Sequence, residues 1–165
     1  MMRRGAIALA SAVSLLAGCS AESDTVGSSA SSPATTQPTA AEPNGETMRI
    51  AIDVEGTTVI GTLNDSEAAR DLVALLPVTV EMSDHGGVEK TGPLPAVLST
   101  DGSPSGADPD PGDIGYYAPS NDVVLYYGDQ SYFPGIVVLG TMDPSGVGVV
   151  GALGGTVTVT ITSAD

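Results

Sequence analysis

The sequence predicts a mainly β domain, a barrel or sandwich of short strands with one short helix. Three observations predict it. Apolar and polar residues alternate in several short runs, the period of two that half-buried strands show. Turn residues separate these runs, and the 165-residue chain holds 21 Gly and 12 Pro. Only one stretch combines helical spacing with a start and a stop signal.

The first elements are not part of that domain. Arg3 and Arg4 precede an uncharged, mostly apolar run of 12 residues, Ala6 to Ala17. Spanning a bilayer takes about 20 residues, so the run fits the apolar core of a secretory signal instead. It ends in Leu16-Ala17-Gly18-Cys19, which resembles the lipobox of bacterial lipoproteins. The resemblance implies cleavage before Cys19 and a diacylglyceryl group on its thiol. Residues 1–18 are then a lipoprotein signal peptide. Loss of Arg3 and Arg4 takes the net charge from -15 to -17. Two acyl chains hold a protein at a membrane where one is marginal. The expected location is the extracytoplasmic face of the cell membrane.

Residues 19–46 follow as the lipidated cysteine and a tether rich in Ser, Thr, Ala and Pro. Such composition cannot bury enough apolar surface to fold. A flexible chain of this length spans roughly 30 Å.

The folded domain is expected over 47–165. Met48, Ile50, Ile52 and Val54 alternate with polar neighbours, and Thr57 to Leu63 returns after Gly56, so the pair reads as a hairpin. Asn64 with Glu67 has capping-box spacing, and Ala68, Leu72, Leu75 and Leu76 share a helical face. Pro77 stops this helix of about 11 residues. Val78, Val80 and Met82 face one side of a third strand, and Asp84-His85-Gly86-Gly87 reads as a turn. Leu94 to Leu98 is short and apolar, and Thr100 to Asp113 is a polar loop. Ile114 to Ala118 and Val123 to Tyr127 flank a turn, and Ile136 to Met142 and Thr156 to Thr162 are further strands.

These residues resemble a known family. Leu63-Asn64-Asp65 through Leu75-Leu76-Pro77, then Leu94-Pro95 and Leu98-Ser99-Thr100, are similar to its signature. So are Gly102-Ser103-Pro104-Ser105-Gly106-Ala107-Asp108-Pro109 and Gly112-Asp113-Ile114-Gly115-Tyr116-Tyr117-Ala118-Pro119. The stretch looks like the bacterial cyclophilin-like domain family. The resemblance runs from about Met48 to Asp165 and is weakest from Gln130 to Gly155. It implies a closed cyclophilin-like β-barrel with a helix against one end. The family's second helix would fall at Ser145 to Gly155, which is rich in Gly and Val, so one helix is expected and the second is left open.

Charge and composition exclude several functions. Five basic residues against 20 acidic ones repel nucleic-acid phosphates. One cysteine excludes a disulfide framework and multi-cysteine metal sites. The fold name points to prolyl isomerisation, yet the Phe-His-Arg and Gln-Gly-Gly-Asp segments of true cyclophilins do not occur here. Arg49 is the nearest stand-in for their arginine. His85, the single histidine, reads either as a base on a loop or as a solvated turn residue. Gly102-Ser103-Pro104-Ser105-Gly106 imitates a nucleophile elbow but puts proline at the nucleophile position. Gly146-Val147-Gly148-Val149-Val150-Gly151 matches Gly-x-Gly-x-x-Gly without the following helix and strand that a dinucleotide site needs. Asp101, Asp108, Asp110 and Asp113 lack EF-hand spacing and read as a solvated acidic turn. No cofactor and no metal is expected, and the sequence offers no evident cluster of convergent ionisable groups.

The aromatics are the strongest functional signal. All six lie between Tyr116 and Phe133. Neighbouring strand residues face opposite sides. A turn centred on Ser120-Asn121 pairs Tyr117 with Val124 and Tyr116 with Leu125. Ile114, Tyr116, Leu125 and Tyr127 then form the core face, while Tyr117, Val124 and Tyr126 face away. The expected ligand-binding residues are Tyr117, Tyr126, Tyr132 and Phe133, with Lys90 adding charge. The reading is a membrane-tethered, non-enzymatic binding module for an unknown small molecule or extended peptide. The alternatives are a vestigial prolyl isomerase or other enzyme, and an accessory protein acting through protein partners.

Overall fold

The computed structural model describes residues 48–164. The expected signal peptide, Cys19 and the expected tether lie outside the described residues. The described chain holds ten strands and two helices. The strands are β1 (Met48–Val54), β2 (Thr57–Leu63), β3 (Val78–His85), β4 (Glu89–Pro93), β5 (Gly106–Ala107), β6 (Asp113–Tyr117), β7 (Asp122–Tyr126), β8 (Phe133–Pro134), β9 (Ile136–Met142) and β10 (Val157–Ser163). The helices are α1 (Glu67–Ala74) and α2 (Pro144–Gly151). Eight strands close an antiparallel barrel in the order β1-β10-β3-β4-β7-β6-β9-β2, and β5 pairs with β8 in a separate two-stranded sheet. The fold is thus mainly β, a closed barrel with two short helices.

The alternating runs supply the barrel interior. Ile50, Ile52, Val59, Val80, Met82, Val159 and Ile161 are all buried there. The β1–β2 hairpin turns at Glu55-Gly56, whose φ angles of 50° and 83° suit the twist of flanking strands. In α1, Ala68, Ala69 and Leu72 are buried, while Leu75 and Leu76 follow it as half-buried partners of the core.

One local expectation is corrected. The N-cap of α1 is Ser66, whose Oγ accepts from the Ala69 amide at 3.2 Å. Asn64 is occupied otherwise, donating through Nδ2 to the Val138 carbonyl at 2.8 Å and accepting from the Ser66 amide at 3.1 Å. The helix accordingly starts later and runs for eight residues. The second helix, left open by the sequence, is present as α2. Pro144 begins it, where the missing amide hydrogen costs nothing. Gly146 lets it close on β2, since a Cβ there would lie 2.6 Å from Val59 Cγ1. The Gly-x-Gly-x-x-Gly run is the body of this helix, not a loop before one.

Candidate functional site

The hairpin of β6 and β7 separates two apolar clusters. Its ladder pairs Ile114 with Leu125, Tyr116 with Val123 and Tyr117 with Asp122. The expected register is therefore corrected by two residues, because the turn centres on Pro119-Ser120. An even shift keeps every side chain on its face. Ile114, Tyr116, Val123 and Leu125 point into the barrel. Val124, Tyr126 and Ile136 form a second cluster on the outer wall, with Ala107 and Tyr117 packed against it.

A cleft of about 290 Å3 opens over this second cluster. Tyr117, Tyr126, Phe133 and Ile136 give it apolar walls. The Tyr117 and Phe133 rings are tilted by 59° with centroids 5.9 Å apart, a favoured arrangement for aromatic pairs. The short β5–β8 sheet presents Phe133, which is 47% exposed, at the rim. Tyr126 is buried, and its ring lies across Gly115, where a Cβ would sit 2.7 Å from Tyr126 Cε2.

Ionisable groups converge on the same cleft, which corrects the expectation that none would. His85 and Glu89 are ladder partners at the β3–β4 turn, and Asp122 closes the far side. Glu89 is also the ladder partner of Tyr126, and its carboxylate interacts with the Tyr126 hydroxyl. Burial pushes the Glu89 carboxyl above the usual carboxylate range, against the opposing charge of His85. Burial, then the charge of Glu89, raises the Tyr126 phenol well above its ordinary value and keeps it protonated. Thr91, Ser120 and Gln130 complete the polar lining.

The structure brings together Tyr117, Tyr126 and Phe133 of the expected ligand-binding residues. Tyr132 is not part of the lining; it is 56% exposed and its hydroxyl lies 3.3 Å from Ser105 Oγ. Lys90 is on the wrong face for this cleft. It pairs in the ladder with Leu125, is fully buried, and its Nζ donates to Asp84 Oδ1 at 2.9 Å. Tyr127 donates to the same Asp84 oxygen at 3.0 Å. The Lys90 hydrogen bond, then that of Tyr127, holds the Asp84 carboxyl below its ordinary range. Arg49 is exposed on β1, which lies opposite β7 in the barrel with three strands between them either way round. Among the described residues, Asp101, Asp108, Asp110 and Asp113 form no group able to hold a metal ion. The Asp113 carboxylate instead accepts from the Asp110 amide at 3.0 Å. No described helix is long and apolar enough to cross a membrane.

Barrel and helices agree with the comparisons to known proteins. The model of the cyclophilin-like family matches residues 52–162. The chain belongs to the cyclophilin-like family. A search of curated proteins found no match. Among solved structures, the chain is similar to a hypothetical protein from Archaeoglobus fulgidus determined in solution. Identity is 19% and the TM-score 0.54, over 74% of this chain and 98% of the other. At that identity the likeness shows the shared fold alone.

Proposed function

We propose that the protein is a lipid-anchored, extracytoplasmic binding module that holds a small molecule or an extended peptide without turning it over. The observation that carries this reading is the outer-wall cleft, where Tyr117, Tyr126, Phe133 and Ile136 offer apolar surface beside a few placed polar groups. That mixture is typical of ligand sites. Tyr126, kept protonated, is a hydrogen-bonding wall more than an acid or base. Native mass spectrometry of the purified chain tests the reading. A bound mass is expected on the wild type and absent from Tyr117→Ala; the same mass on both would refute it.

The anchor rests on Cys19, the single cysteine of the chain. The Cys19→Ala variant is expected to leave the membrane fraction. Partitioning like the wild type would remove the lipid from the account.

A second reading, an enzyme in the same cleft, has one observation in its favour. Glu89, with its raised carboxyl, stands beside His85, and paired titratable groups of this kind serve acid–base chemistry. A rate enhancement of prolyl cis/trans isomerisation by the wild type, lost in Glu89→Gln, would establish this reading over the first.

A further inference from the structure

We propose that the ligand of the outer-wall cleft is an organic cation, an amine or guanidinium on a flat or aliphatic stem, with Glu89 as its counter-ion. The proposal rests on the binding reading above and names the chemistry of its ligand. Glu89 is half-buried in the cleft wall, and Asp122 adds a second carboxylate. No lysine or arginine lines the cleft among the described residues. Lys90, one residue away in sequence, points into the barrel and is paired with Asp84. Arg70 is paired with Glu67 at 2.7 Å on α1. Among the described residues only His85 brings positive charge to Glu89, and His85 is exposed.

A carboxylate removed from water without a permanent cation is a cost the fold carries. The raised Glu89 carboxyl is the sign of that cost. A ligand cation would offset it. The aromatic walls fit the same ligand. Tyr117 and Phe133 stand tilted at the mouth, and their faces attract a cation as well as an apolar stem. The net charge of -15 concentrates cations near the surface.

Benzamidine, benzamide and benzoate share a ring and differ in charge, so calorimetric titration of the full chain with all three tests the inference. Benzamidine is expected to bind about tenfold or more tightly than benzamide, the scale of a charge-assisted hydrogen bond. Benzoate is expected to bind least. Glu89→Gln should bring benzamidine to the level of benzamide and leave benzamide unchanged. Asp122→Asn should weaken benzamidine by less. Agmatine and a short arginine-centred peptide distinguish the source of the cation: tighter binding of either supports the inference and assigns a free amine or a peptide side chain. Benzamide binding as tightly as benzamidine, with both lost in Tyr117→Ala, would overturn the cation and leave the binding module standing. No binding of any probe would overturn the cation, while the bound mass on the wild type remains the separate test of the binding module.

Discussion

Tyr116 and Tyr117 are adjacent in sequence and should answer mutation in opposite ways. Tyr116 is fully buried among the barrel side chains. Its hydroxyl accepts from the Leu98 amide at 3.2 Å and donates to Asn121 Oδ1 at 3.0 Å. Asn121 Nδ2 in turn donates to the Leu94 carbonyl at 2.8 Å. The phenol thus ties the irregular segment after β4 to the β6–β7 turn. Tyr116→Phe keeps the ring and orphans the buried Leu98 amide, which should cost about 2 kcal/mol. Tyr116→Ala adds a large cavity, for a total of about 4–5 kcal/mol. Tyr117 is half-buried and packs on Phe133, so Tyr117→Ala should cost about 1 kcal/mol, the worth of one aromatic pair. Urea unfolding of the three variants, with a common m-value, measures the series. A silent Tyr116→Phe, with Tyr117→Ala costing as much as Tyr116→Ala, would refute the assignment of Tyr116 to the core and Tyr117 to the cleft.

Leu72→Ala in α1 removes a fully buried side chain and should lower stability by about 2–5 kcal/mol in the same assay. Asp84→Ala should destabilise more than Lys90→Met, because it strands a buried ammonium with only the Gly155 carbonyl at 3.5 Å, whereas Asp84 can rehydrate; equal losses would contradict this. Asp84 sits below its ordinary pKa, so its contribution is present above the unfolded value and is lost as pH falls through the folded one. The acid limb of the stability profile should therefore flatten in Asp84→Ala. Glu89 has the reverse sign: its folded pKa is raised, so its ionised form opposes folding at neutral pH and the penalty fades as pH falls through that value. Urea midpoints should place Glu89→Gln above the wild type at neutral pH, with the gap closing in acid.

Much of the barrel was legible because its inward positions are apolar and alternate. Ile50-x-Ile52-x-Val54 and Val157-x-Val159-x-Ile161 announce both period and face. The face of each tyrosine was legible too, since alternation survives a register error of two residues. The helix α2 was not. Four of its eight positions are Pro or Gly, which disfavour helices, and tertiary contact overrides propensity there. Gly146 is chosen for the approach of Val59, which no local pattern reveals. The strands β5 and β8 are two residues long, too short for any period to show.

The strand β4 explains most of what the sequence concealed about the site. Glu89-Lys90-Thr91-Gly92-Pro93 contains no apolar residue except its terminal proline, so it carries no strand signal. Its inward positions are Lys90 and Gly92. Lysine is admitted because Asp84 meets its ammonium. Glycine is required because a Cβ would meet the Glu81 carbonyl oxygen at 2.6 Å. Alternation then forces Glu89 and Thr91 outward, onto the wall that Tyr126 and Val124 share. One unrecognised strand therefore accounts for two errors of opposite kind. Lys90 seemed available to a ligand because its face was unknown. Glu89, the carboxylate that sets the charge of the cleft, went unnoticed for the same reason. The exchange removes Lys90 from the lining and puts Glu89 there, so the charged groups of the wall are carboxylates beside one histidine, in keeping with the acidic surface that the sequence predicts to admit a neutral or cationic ligand more easily.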